Sequence, residues 1–178
     1  MLKRKTLLVV ALAAAVGLGA CSTLTTNTDF RPNTDFSRFK TFAFKDVRQL
    51  GNSIMEARIK SAVSTQLTAK GWSQSDGSPD IWVVLHPQLS QQTQITTFSS
   101  GWGYGWGWRG GMGTQTSSVE QIPVGTLIVD LVDAREKELV WRGTASDTLR
   151  VNATPEERDR NLNRAMERLF QGFPPPTR

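Results

Sequence analysis

The chain of 178 residues has one cysteine, one histidine and one tyrosine. A lone cysteine cannot close a disulfide within its own chain, and a lone histidine excludes a multi-histidine metal site built by one copy. No G-x-S-x-G elbow occurs, so a Ser-His-Asp triad would rest on His86 alone. His86 stands before Pro87 at the end of an apolar stretch and reads as structural. Gly-Lys-Ser/Thr is also missing, which removes a phosphate loop. Long apolar runs are equally scarce. Leu7–Val16 is far short of the roughly 20 residues that cross a bilayer. Excess charge is missing too. The formal +5 comes from 21 Lys+Arg against 16 Asp+Glu, and Lys3, Arg4 and Lys5 belong to a first stretch with no acid. Without residues 1–20 the balance is 18 against 16, or +2, which is too small to argue for nucleic acid.

The N-terminus, MLKRKTLLVVALAAAVGLGACST, has a basic start, a short apolar stretch and small residues before Cys21. That is the pattern of a secretory signal over residues 1–20. Leu18-Gly19-Ala20-Cys21 resembles a bacterial lipobox, which implies that Cys21 is acylated, palmitate included, and becomes the first residue of the exported chain. Several acyl chains at about 0.8 kcal/mol per buried methylene anchor a protein durably. Similarity to Gram-negative lipoproteins, with Ser22 after the cysteine, implies the outer membrane and a domain facing the periplasm. Residues 21–28 are polar and read as a tether, leaving 29–178 as a single domain large enough for its own core.

Two helices are signalled by their caps. Ser53-Ile54-Met55-Glu56 fits a capping box, followed by a stripe of Met55, Ile59, Ala62, Val63 and Leu67, and Gly71 can end it. Thr154-Pro155-Glu156-Glu157 starts the second, with Leu162, Ala165, Met166, Leu169, Phe170 and Phe173 as its stripe. Strand patterns cover Lys40–Phe44, Ile81–Leu85, residues 125–133 and 138–149. Phe30 and Phe36 flank a turn at Arg31-Pro32-Asn33. The expected fold is α+β, a two-layer sandwich of an antiparallel sheet with two helices. In the last hairpin Leu131 should face Trp141 and Asp130 should face Arg142, so Leu127, Val129, Leu131, Trp141, Gly143 and Ala145 share the covered face.

Residues 101–113, GWGYGWGWRGGMG, hold three of six tryptophans and the only tyrosine. The pattern around them is nearly symmetric about Trp106, with Ile81–Leu85 set against Leu127–Leu131. This predicts a long antiparallel ribbon with the Gly/Trp-rich tract at its tip and Pro87 and Pro123 at edges or bulges. Trp102, Tyr104, Trp106, Trp108 and Arg109 are the candidate binding residues. Trp and Tyr stack on sugar rings and are at home at lipid interfaces, whereas nucleic-acid stacking suits the residues but not the compartment.

DFSRFKTFAF, PDIWVVLH, the Gly/Trp tract, GTLIVDLVDAREKELVWRG and TPEER…FPP, behind a lipobox, resemble a group of small Gram-negative lipoproteins catalogued as domain of unknown function 4136. The resemblance implies a compact periplasmic α+β domain on a lipid tether and transfers no catalytic residue. The reading is therefore a non-enzymatic envelope protein without cofactor or metal, in contact with the membrane through its anchor and with cell-wall glycan, lipid or an envelope protein through the tract. The alternative is a cell-wall glycan hydrolase using paired carboxylates, with Asp80, Asp130 and Asp133 as the plausible acids.

Overall fold

The computed structural model describes residues 23–45, 52–98 and 116–176, with backbone alone for 94–98 and 116–120. Along the chain come β1 (Thr25–Phe30), a 3-10 turn (Phe36–Arg38), β2 (Thr41–Lys45), α1 (Ser53–Ala69) and β3 (Ser73–Gln74). Then follow β4 (Ile81–Phe98), β5 (Thr116–Asp133), β6 (Leu139–Thr148) and α2 (Pro155–Leu169). The strands form one open six-stranded sheet in the order β1-β6-β5-β4-β2-β3, so the fold is mixed α+β.

Both helices start and stop for local reasons. In α2 the Thr154 hydroxyl accepts from the Glu157 amide at 3.3 Å, and the Glu157 carboxylate accepts from the Thr154 amide at 3.0 Å. This is the expected reciprocal cap, with Pro155 in the first turn. In α1 the cap is Asn52, whose side chain accepts from Met55 N at 3.1 Å, and Ser53 is already helical. Asn and Ser are equally good caps, so a sequence offering both in succession leaves the start ambiguous by one residue. Gly71 ends α1 at φ +87°. Trp72 N donates to Leu67 O (3.1 Å) and Gly71 N to Thr68 O (2.9 Å), a Schellman turn that delivers Trp72 back onto the core beside Leu67.

The sheet is not wholly antiparallel, contrary to expectation. β2 runs parallel to both β3 and β4, pairing Phe42 with Ile81 and Phe44 with Val83. The cause is α1, which lies between β2 and β4 in the chain. A helical crossover returns the chain to the end it left, so the next strand in the sheet points the same way. A second correction concerns the N-terminus. Thr25–Thr28, read as part of a tether, are the first residues of β1 and pair with Ser146–Gly143 of β6. Leu24 is buried in the core. Polar composition misled here because β1 is an edge strand whose side chains are mostly exposed.

The hairpin register is as expected. Leu131 faces Trp141 and Asp130 faces Arg142, and the only irregularity falls between Leu131 and Val132. Leu127, Val129, Leu131, Trp141 and Ala145 are all buried and join one cluster with Ile59, Val63 and Leu67 of α1 and Met166 and Leu169 of α2. Trp141 stacks on Phe170 at 5.1 Å, and Phe173 meets Trp141, Phe170, Trp72 and Phe36 edge-on at 5.3–5.7 Å. Each large side chain buried this way contributes about 1.5–3 kcal/mol, and each aromatic pair about 0.5–1.5 more. Gly143 is what admits the indole: a Cβ there would come within 2.3 Å of the Trp141 ring and 3.0 Å of Leu169.

β4 and β5 pair without interruption from Ile81↔Asp133 to Phe98↔Thr116. The ribbon therefore exists, but two residues out of the expected register: Val83, rather than Ile81, faces Leu131. A two-residue slip keeps every side chain on its face, so apolar patterning alone does not separate the two pairings. β2 covers only Ile81–Val84, and β6 reaches only to Val124. Pro123 O still accepts from Leu149 N at 2.8 Å, and from Gln92 and Ile122 outward the ribbon pairs with no other strand among the described residues. Pro87 and Pro123 both sit where the next strand has ended, which suits a residue with no amide to donate.

Candidate binding surface

The body of the sheet carries one charged cluster on the face away from the helices. Arg142 donates to Asp130 through Nε and Nη2, both at 2.6 Å, a two-pronged pair. His86 Nε2 lies 3.2 Å from Asp130 Oδ2, the oxygen that also accepts from Arg142 Nη2. Asp130 is 5% exposed, whereas the Arg142 and His86 side chains reach solvent. The hydrogen-bonded, opposite charge of Asp130 holds the Arg142 guanidinium above its ordinary pKa. Both oxygens of Asp130 accept from Arg142, and with His86 beside Oδ2 the cluster links three strands.

The other two candidate acids are engaged in the same way. The Asp80 carboxylate accepts from Lys40 N and Thr41 N, both at 2.9 Å, and from the Thr41 hydroxyl at 3.0 Å. These bonds, the Lys40 amide first, hold its pKa below the usual carboxylate value against the cost of burial. Asp80 thus ties the start of β2 to the start of β4. Asp133, 3% exposed, accepts from Arg135 N (2.8 Å) and Glu136 N (3.0 Å) and pairs with Arg38. It shapes the β5–β6 turn, where Lys137 takes φ +63°. Each of the three acids has a structural task.

Sequence reasoning missed the link between His86 and Asp130. In the expected register they are four rungs apart along the ribbon. The true pairing sets Val84 opposite Asp130 and Ile128 opposite His86, making His86 and Asp130 diagonal neighbours. A polar residue at the Asp130 spacing was the one available signal, and the two-residue slip hid it.

Two further surfaces remain. A shallow groove of about 470 Å³ runs between α1 and the β2–β3 edge, lined by Phe44, Lys60, Ser61, Ser64, Thr65, Thr68 and Gln74. Lys60 is its only charged group and is paired with Glu56 at 2.8 Å. The other surface is the ribbon. Ser90, Gln91, Gln92, Thr93 and Gln121 are exposed, and Leu89 is 81% exposed, against 0% for Val83 on the same strand. Residues 87–98 contain no charge, and residues 116–124 contain only Glu120. Trp102, Tyr104, Trp106, Trp108 and Arg109, and the lipidation candidate Cys21, lie outside the described residues. Among the described residues no group of three His, Cys, Asp or Glu could hold a metal ion, and no helix is long and apolar enough to cross a membrane.

Comparison with solved structures shows the fold. A PDZ domain protein from Parabacteroides distasonis superposes with a TM-score of 0.57 at 15% identity, covering 95% of this chain and 40% of that one. The chain thus spans well under half the length of that protein. The PelC dodecamer from Paraburkholderia phytofirmans is similar at a TM-score of 0.48 and 12% identity, over 83% of this chain and 94% of that one. A minor lipoprotein from Acinetobacter baumannii is similar at 0.38 and 13% identity, over 75% and 87%. No curated protein matches in sequence. A family model does match, over residues 26–175, which takes in both helices and all of the sheet but Thr25. The chain belongs to the family described as Domain of unknown function (DUF4136).

Proposed function

We propose that the protein is a lipid-anchored envelope protein of the outer membrane, its domain facing the periplasm, with a binding or scaffolding role and no catalysis. The domain is a two-layer sandwich with one projecting ribbon, and residues 101–113 form the ribbon's tip. Residues 1–20 are a signal, Cys21 carries the acyl chains, and the tether is only Cys21–Thr23, since Leu24 belongs to the core. Trp102, Tyr104, Trp106, Trp108 and Arg109 make the contact, with glycan or lipid as the ligand class.

The observation that carries this reading is the ribbon. Beyond the last β6 pair the ribbon runs on from Gln91↔Pro123 to Phe98↔Thr116, with Gln91, Gln92, Thr93 and Gln121 exposed, while the acids of the body are occupied in holding it. An extension free of structural duty is available for contact. The same occupation of Asp80, Asp130 and Asp133 speaks against the hydrolase alternative.

Two variants test the reading. Cys21→Ala should abolish acylation and lipoprotein-type signal cleavage. Processing and membrane fractionation identical to wild type would refute the anchor. Replacing Trp102, Trp106 and Trp108 together by serine should remove binding to vesicles or glycan with little change in stability. A large fall in stability would make those tryptophans part of the core instead.

A further inference from the structure

The lipid anchor and the ribbon leave the sheet from the same end. β1 enters at Thr25, opposite Ser146, which in turn lies beside Thr126 and Gln88. Thr23 Oγ1 donates to the Asp147 carboxylate, so the chain arrives at the last rungs of β6. Among the described residues, the only strands that continue beyond those rungs are β4 and β5. The opposite end of the sheet is the charged one, where Arg31 pairs with Glu136 and Glu138, and Arg38 with Asp133 and Glu136.

The lengths decide how the two features meet a bilayer. Cys21 is two residues from Thr23, within about 7 Å of it. The ribbon runs eight residues past the end of β6, or about 27 Å at roughly 3.4 Å per residue. It therefore overshoots the acylated residue by about 20 Å. The headgroup layer on one side of a bilayer is only about 5–8 Å thick, so an upright ribbon would enter the hydrocarbon. There the unpaired edges of a two-stranded ribbon would lose water without gaining partners, at several kcal/mol per group. The ribbon must instead lie along the surface. Its composition suits that layer: amides and hydroxyls that exchange hydrogen bonds with phosphate and ester groups, Glu120 as the one charge of the stem, and Leu89 exposed.

We infer that the ribbon stem, Leu89–Phe98 with Thr116–Val124, rests on the bilayer that holds the protein's own acyl chains. This rests on the anchor proposed above and chooses lipid over glycan as the stem's ligand. The test uses the full acylated protein in vesicles of phosphatidylethanolamine and phosphatidylglycerol. Acylation consumes Cys21, so one introduced cysteine is the only thiol. A nitroxide at Gln91→Cys, on the same face of the stem as Leu89, is compared with one at Ser78→Cys in the exposed loop before β4. The Gln91 label should lose access to a water-soluble relaxant severalfold and gain access to oxygen, while the Ser78 label stays as accessible as in detergent. Equal exposure of both labels on a protein shown by mass to be acylated would overturn the inference and leave the anchor standing. A protein that carries no acyl chain sinks both. Protection of the Gln91 label by solubilised cell-wall glycan but not by vesicles would also overturn it, in favour of a glycan ligand.

Discussion

Strand β4 leads two different lives. At Ile81 and Val83 it is fully buried between neighbouring strands and under the helices. A few residues later, at Leu89, it is four-fifths exposed and β5 is already its only partner strand. The covalent chain and the pairing are continuous, yet one half is fold and the other is surface. The difference lies in what stops: β2 pairs no further than Val84 of β4, and β6 no further than Val124 of β5. A paired ribbon needs neither to keep its hydrogen bonds. It does need something else to be there for, because an isolated two-stranded ribbon is marginal in water.

If the body alone carries stability, substitutions should cost least where the ribbon begins and most under the helices. Trp141→Ala should be the heaviest loss, about 3–5 kcal/mol, since it empties the site between Phe170 and Phe173. Leu169→Ala should follow at about 2–5 kcal/mol. Both are measured by urea titration, and small values would mean that α2 does not dock on the sheet. Thr154→Ala should cost about 1 kcal/mol through the lost cap. At the small end, Gln92→Ala on the stem should stay within about 0.5 kcal/mol of wild type. A ribbon substitution as costly as Leu169→Ala would erase the distinction between the two regions.

Acid offers a separate probe of the body. The Asp80 pKa is lowered in the folded state, so its contribution is complete above the ordinary carboxylate value of about 4 and fades as pH falls through the lower folded value. The Asp80→Asn protein should be less stable than wild type at pH 7, with the gap narrowing below pH 4. A gap that stays constant with pH would mean that the amides of Lys40 and Thr41 gain nothing from the charge.

How much of this was legible depended on how local the signal was. The Thr154 cap, the stripe of α2 and the Leu131↔Trp141 register all rest on residues close in sequence, and each was readable. The parallel placement of β2 was not, because it depends on where a crossover helix lands rather than on any strand's own pattern. The ribbon register failed by an even number for the reason its faces succeeded: a period of two cannot count rungs. That slip also concealed His86 beside Asp130, the one cluster that unites β4, β5 and β6 on the face away from the helices. Residues 25–28 were hidden by the polarity normal to an edge strand.

The division between body and ribbon is tested most directly by cutting the ribbon off. Thr93 and Gln121 face each other, so residues 94–120 can be replaced by an Asn-Gly turn that closes a tight hairpin. The account predicts a shortened protein with the same urea midpoint, its stability within about 0.5 kcal/mol of wild type. A chain that unfolds, or whose midpoint falls by as much as that of Leu169→Ala, would show that the ribbon is part of what holds the fold together and would contradict the account.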